Sequence, residues 1–515
     1  MSDWGEGYIT DIAYTSGFYR ELTPVHVAFS ALCRGRDPGP VLQARHVLDL
    51  GFGMGFGLVV TAAANPDVHF EGIDFNPRHA ANAQALVDAA QLTNVTVGEA
   101  SFQQMAGRAR EGQHDVDLIV LHGILSWVSA EARDAILEIA RKRLKPGGLL
   151  YVSYNCMPGL AHVVPLQHLL IANGRQTGGT SHDKVTAGIE LLKALKADGA
   201  LLFKSMNIAN QFLDRLKTRD KTYLAHEYFN ANWSVFHVAD VAEMMARGKL
   251  DYVASATIIE NFDRLSVPEA IRGRIAATAD PVFAETLRDA ASNKAFRRDI
   301  YGRGAAQLLG SERAALLGEM QFILVTPRSD VKYKVLTPLG ELSVRADVGD
   351  RIADLLATKP ATFAEILPLF GDAGGNAALE TLAMLVQSQQ VSPVRTGGFA
   401  DETVDPEPAR RLNAVIAQKA WGGRTYSTLS SPVLGSGLGV APRDLPMLSA
   451  VLAGRSDSAQ AVTDHILEKM RHYGSEWVAD GKTITDPAEL RTSVYEKAEG
   501  FLAQRLPLWR RLKIV

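Results

Sequence analysis

The chain has 515 residues, of which 47% are hydrophobic and 22% charged, and its formal net charge is −3 at pH 7. That length exceeds one ordinary core and implies roughly two to four domains of a soluble globular protein. The charge balance argues against a general nucleic-acid binder, which needs a basic face for phosphate. Cys33 and Cys156 make no disulfide framework and fit a reducing, cytoplasmic setting. Residues 1–10 lack the basic start and apolar stretch of a signal peptide. No apolar run reaches bilayer-spanning length, so no membrane insertion is expected.

Residues 46–154 alternate short apolar runs with helical stretches. Strands are predicted at 46–50, 68–74, 94–97, 116–121 and 149–154, with helices over 77–90 and 130–144. Lys145-Pro146-Gly147-Gly148 reads as a turn before the fifth strand. This alternation implies an α/β fold with a parallel, doubly wound, Rossmann-like sheet. From 160 to 220 the apolar spacing turns helical, at 163–173, 187–196 and 202–216, which predicts an inserted helical subdomain. A helix at 240–247 follows, and strands at 251–258 and 321–325 read as the last strands of the first sheet.

A hairpin around Pro338-Leu339-Gly340 and three helical stretches after it suggest a winged-helix-like module. Its last helix, near 376–390, carries Glu380 and no Lys or Arg, so packing or protein interaction is expected there rather than DNA readout. After a polar linker, 396–408, the remainder reads as helical with a glycine-rich loop at 434–439. The chain thus divides into a core at 1–159, a helical insertion at 160–220, a segment with the last core strands at 221–328, the winged-helix-like module at 329–396 and a helical C-terminal domain at 397–515.

The strongest motif is Val47-Leu48-Asp49-Leu50-Gly51-Phe52-Gly53-Met54-Gly55, a strand running into a glycine turn. Glycines permit the tight turn and a close backbone approach to a ligand. Gly72-Ile73-Asp74-Phe75-Asn76-Pro77 puts a carboxylate at the end of the second strand, where it can accept hydrogen bonds from both hydroxyls of a ribose. Both features fit a nucleoside ligand. The dinucleotide fingerprint fails, because Phe56, Leu58 and Val60 stand where its last glycine would fall.

Asp49 two residues before Gly51 gives D-x-G-x-G-x-G, which resembles the form found in class I methyltransferases that use S-adenosyl-L-methionine (SAM). SAM is therefore the expected cofactor, with S-adenosyl-L-homocysteine as product. Expected contacts are Asp49, Gly51, Gly53, Gly55, Asp74, Phe75 and Asn76. The third strand end adds Ala100, Ser101 and Phe102, and the fourth adds His122, Gly123, Ile124 and Trp127. No His/Cys cluster has metal-ligand spacing, so no metal is expected.

His122-Gly123-Ile124-Leu125-Ser126-Trp127-Val128 and Tyr151-Val152-Ser153-Tyr154-Asn155 resemble segments of bacterial methyltransferases that carry a methyltransferase regulatory domain. That group includes the rickettsial outer-membrane-protein lysine methyltransferases. Residues 8–22, His226-Glu227-Tyr228-Phe229-Asn230, Phe296-Arg297-Arg298-Asp299 and Ser431-Pro432-Val433-Leu434-Gly435-Ser436-Gly437 are similar too. The resemblance implies a SAM-dependent protein lysine N-methyltransferase with a protein substrate, homodimeric through the helical insertion. Ile124-Leu125 replaces a Val-Tyr pair of the relatives and so removes a hydroxyl.

Methyl transfer is an in-line displacement, and a lysine acceptor must first lose its proton. Tyr14, Phe18 and Tyr19 could fold over the cofactor as a lid. Tyr154 and Asn155, ending the fifth strand, would face the methyl group, and His226 and Glu227 would serve as base and cation partner. The fourth strand is not followed by an Asp/Asn-Pro-Pro-Tyr/Phe segment, which argues against nucleic-acid adenine and glutamine acceptors. A small-molecule or natural-product methyltransferase, and a SAM-binding regulator without catalysis, are the competing readings.

Overall fold

In the computed structural model, the apolar runs of the first third pair as parallel strands: β1 (His46–Leu50), β2 (His69–Asp74), β3 (Val95–Glu99), β4 (Val116–Leu121) and β5 (Leu144–Asn155). The structure describes all residues except 1–4, 6, 13–15, 397–403, 424–425 and 480. β4 is buried at every position, the pattern of a strand covered on both faces. β6 (Asp251–Ser255) and β7 (Phe296–Gly302) complete a seven-stranded sheet of order β3-β2-β1-β4-β5-β7-β6, with β7 antiparallel to both neighbours. Helices α1 (Pro24–Cys33), α2 (Phe56–Ala63), α3 (Pro77–Ala89), α4 (Phe102–Arg108) and α5 (Ala130–Arg143) cover it, a doubly wound α/β architecture.

Several elements differ from expectation, each for a physical reason. The strand at 321–325 does not join the first sheet. As β8 (Gln321–Leu324) it pairs antiparallel with β11 (Ala361–Thr362) and β12 (Val391–Pro393). Its alternate residues serve two cores: Phe322 and Leu324 pack in the cluster of the winged-helix-like module, and Ile323 packs in that of the C-terminal residues. β7 escaped the apolar pattern because Arg297 and Asp299 are buried in it as ion pairs. The Lys-Pro-Gly-Gly segment is not a turn before β5 but lies within it. There the pairing to β4 breaks register between Val116 and Leu118, and Gly147 has φ +78°. The predicted helix 202–216 splits into Leu201–Ser205 and Asn207–Thr218, because Met206 is extended.

The hairpin of β9 (Lys334–Thr337) and β10 (Gly340–Ser343) precedes helices Ala346–Thr358, Phe363–Ile366 and Gly374–Gln387. The last of these buries seven of its side chains, Ala378, Leu379, Leu382, Ala383, Met384, Leu385 and Val386, and Glu380 lies 3.9 Å from Arg264. It is a packing helix. The glycine-rich segment at 434–439 is not a loop in a helical domain: β13 (Thr428–Ser431) and β14 (Ser436–Gly439) form a hairpin across it. This hairpin packs on α2, with Phe56, Val59 and Val60 in one cluster with Leu429, Leu434 and Leu438. Helices Val164–Gln176, Ser181–Ala197 and Asn207–Thr218 share a cluster that continues through Leu224, Ala225 and Phe229. Cys33 and Cys156 are buried and free. Among the described residues no helix is long and apolar enough to cross a membrane, and no group of His, Cys, Asp and Glu could hold a metal ion.

Candidate active site

The site lies at the carboxyl ends of β1 to β4, where the glycine turn leaves the sheet. Gly51 and Gly55 have φ +83° and +76°. A Cβ on Gly51 would fall 2.5 Å from Ile124, and one on Gly55 would fall 2.4 Å from Ala83. Both positions therefore need glycine for conformation and for space. The turn is fastened to β2 by Asp74. Its Oδ2 accepts from Gly53 N at 2.9 Å, and its Oδ1 accepts from Asn76 N at 2.9 Å and lies 3.1 Å from His79 Nδ1. Asp49 sits beneath the turn, and burial together with the nearby Asp74 charge pushes its carboxyl up to about 7.

These residues wall a cavity of about 300 Å³. Tyr19, Asp49, Gly51, Gly53, Gly55, Asp74, Phe75, Ala100, Ser101, Phe102, His122, Gly123, Ile124 and Trp127 all line it. Asn76 does not. It is buried as the N-cap of α3, where its side chain accepts from Arg78 N at 3.0 Å. Tyr8, Gln104 and Asn232 are among its other lining residues and were not singled out in the sequence, and Phe52 and Met54 were quoted there only as part of the glycine motif. Tyr8 belongs to an N-terminal stretch noted only for its resemblance, and Asn232 lies just past one. No motif marks either.

His122 is built into the floor. Its Nδ1 lies 2.8 Å from Tyr151 Oη and 3.2 Å from Ser153 Oγ, and Ser153 Oγ also accepts from Gly123 N at 2.9 Å. The Tyr19 ring lies 3.9 Å from the imidazole, centroid to centroid. Burial and the nearby Arg298 charge push His122 down to about 3, so it is neutral at physiological pH.

The remaining candidates divide. Tyr154 does not face the cavity. Its hydroxyl donates to Asp299 Oδ2 at 2.6 Å, on the opposite face of β5 from Tyr151 and Ser153, as strand alternation requires. Asp299 in turn pairs with Arg297 at 2.8 Å, and Arg297 pairs with Asp289 at 2.5 Å and Glu285 at 3.0 Å, so Tyr154 belongs to a buried ionic network. Phe18 packs against the C-terminal cluster rather than into the cavity. Tyr14 lies outside the described residues.

Asn155, His226 and Glu227 stand one layer behind the wall. Trp127 Nε1 donates to the Glu227 carbonyl at 3.4 Å, and the His226 ring lies 5.7 Å from that of Tyr8. Burial pushes the Glu227 carboxyl up to about 7, with the Asn155 side chain drawing it partly back.

The chain is similar to known proteins. Residues 43–176 match a methyltransferase domain model, and residues 220–303 match a methyltransferase regulatory domain model. The second span supplies β6, β7 and the helix Lys221–Tyr228 with Glu227. The protein sll1526 of Synechocystis sp. is 30% identical over 99% of both chains. RP028 of Rickettsia prowazekii is 30% identical over 42% of this chain and 85% of its own. The structure of PKMT2 from Rickettsia typhi in complex with AdoHcy superposes over 97% of this chain and 99% of its own, with TM-score 0.69 at 20% identity.

Proposed function

The chain belongs to the SAM-dependent methyltransferases that carry a methyltransferase regulatory domain, and on that premise we propose that it methylates lysine side chains of a protein. Asp74 takes the ribose hydroxyls of the cofactor, the Gly51–Gly55 backbone carries its methionine part and Asp49 takes the α-ammonium. Ala100, Ser101 and Phe102 meet the adenine. The cradle suits such a ligand, since a Cβ at Gly51 would close it. When bound, SAM supplies an electrophilic methyl carbon on a sulfonium.

The chain's own residues must deliver a neutral amine, and a lysine ammonium with a pKa of ~10.4 in water is almost entirely protonated at neutral pH. Glu227 carries this proposal. It is a carboxyl titrating at about 7, set behind Trp127 of the cavity wall. As a carboxylate it attracts the ammonium. Taking the proton into a group titrating near 7 is about 3 kcal/mol less uphill than into an ordinary carboxylate. Tyr8, Tyr19 and Trp127 offer aromatic faces suited to cations. Neutral His122, held by Tyr151 and Ser153, fixes the floor. The fold shared with a protein whose structure holds AdoHcy accords with this reading.

The test is to incubate the purified protein with methyl-labelled SAM and a lysate of its host, with and without prior acetylation of lysines. Label entering protein, and lost after acetylation, is the expected result. Label that resists acetylation, or that appears only in small molecules, removes the lysine reading.

A further inference from the structure

The stretch ahead of α1 crosses the cofactor cavity. Gly17 and Tyr19 line it, and Gly17 runs so close to the glycine-turn helix that a Cβ on Gly57 would lie 3.2 Å from its carbonyl oxygen. What fastens this stretch lies outside the catalytic sheet. Arg20 donates from one guanidinium nitrogen to the Val386 carbonyl and from the other to the Gln387 carbonyl at 3.0 Å. Both carbonyls are in the last turn of helix Gly374–Gln387, in the winged-helix-like module. Helix-terminal carbonyls are short of intrahelical partners and carry the negative end of the dipole, so a cation is favoured there.

Arg20 and Tyr19 are joined rigidly. Leu22 N donates to the Tyr19 carbonyl at 3.1 Å, and Thr23 donates to the Arg20 carbonyl from N at 3.0 Å and from Oγ1 at 2.7 Å. The side chain gripping the module and the ring over the cavity therefore sit on adjacent residues of one tight turn. Farther upstream, the Asp11 carboxylate accepts from Ser181 N at 3.0 Å and Ser181 Oγ at 2.7 Å, where helix Ser181–Ala197 begins. Asn230 Oδ1 accepts from Ile9 N at 3.0 Å. Two further appended parts of the chain thus hold residues 9 and 11, while the module holds residue 20.

We infer that Arg20 is a positioning residue for cofactor retention: it ties Tyr19 to the winged-helix-like module, and the cofactor leaves when this tether lets go. The inference rests on the cavity being the SAM site, and it gives the module a role in the reaction without contact with the reacting atoms. Because coupling is reciprocal, a ligand that holds Tyr19 down also holds the end of the module helix.

The experiment uses the full chain and AdoHcy, with dissociation followed by tryptophan fluorescence, since Trp127 lines the cavity. Arg20→Ala should release AdoHcy about tenfold faster and raise KM for SAM without lowering kcat. Arg20→Lys should recover most of the retention, because an ammonium can donate to the same carbonyls. Asp74→Ala is the control for the cavity. If it leaves AdoHcy binding intact, the cofactor reading fails. If it abolishes binding while Arg20→Ala dissociates at the wild-type rate, the tether is overturned. Hydrogen exchange on the wild-type protein decides the matter even if Arg20→Ala does not fold: AdoHcy should protect residues 17–22 and 384–390 together, and protection confined to 17–22 contradicts the tether.

Discussion

Glu227 titrates near neutrality because it is buried, and this gives its proposed role a pH signature. Below about 7 the carboxyl holds its proton and cannot take one from the acceptor, so kcat/KM should rise with pH through that value. Glu227→Gln should remove this rising limb and lower kcat about 100-fold while leaving AdoHcy affinity near the wild-type value. An unchanged pH profile would assign the proton to another group. Asp49 makes a second, separable expectation. In the proposed pairing with the ligand's ammonium its carboxyl, raised to about 7, must first ionise. AdoHcy affinity should therefore climb as pH rises through about 7 and fall again only at the higher pH where the ligand's own amine loses its proton. Calorimetry across pH reads this, and Asp49→Asn should flatten the lower limb.

At this scale the glycine turn and the carboxylate that fastens it were legible because their constraints are local. A turn that tolerates no Cβ must be written in glycine, and the carboxylate fastening it must follow at the end of the next strand. Tyr154 was misread because alternation along β5 fixes which face each side chain takes, and the sequence alone does not say which face meets the cavity. Ser153 and Tyr151, on the other face of the strand, are the ones that reach His122.

Among the elements, β7, between β5 and the edge strand β6, buries charge beside its apolar Ile300 and Tyr301. Arg297, buried, pairs with Asp299, Asp289 and Glu285. Removing one partner of such a set strands the others, so Arg297→Ala should cost about 3–5 kcal/mol, read as a lowered urea midpoint. A variant as stable as wild type would mean that the three carboxylates are solvated in solution. The same feature hid β7 from the sequence, since a strand reading Phe-Arg-Arg-Asp-Ile-Tyr-Gly shows no apolar alternation. β8 was legible as a strand but not in its partners. Its apolar run states only that both faces are covered, and which strands pair with its edges is settled by residues 361–362 and 391–393.

For the molecule as a whole, the C-terminal residues are not a detachable appendage. α2 is covered on two faces, with Leu58 and Ala62 in the sheet-side cluster and Phe56, Val59, Val60 and Ala63 in one cluster with Leu412, Leu429 and Trp509. A chain ended at residue 396 would expose that second face, an apolar patch continuous with the helix that carries the glycine turn. The truncated protein should be insoluble or bind a hydrophobic dye, and a soluble truncation that still binds AdoHcy would contradict this. Such joint cores are invisible to a reading that takes the chain segment by segment, since each segment's periodicity names a face but not its partner.

The acceptor is the claim on which the functional account turns, and total hydrolysis of labelled protein tests it most directly. After reaction of the full chain with methyl-labelled SAM and host lysate, acid hydrolysis and amino-acid separation should place the label in methylated lysine, at a level that Glu227→Gln strongly reduces. Label recovered in any other amino acid, or methyl-lysine formed equally well by Glu227→Gln, would contradict the proposed acceptor or the residue assigned to prepare it.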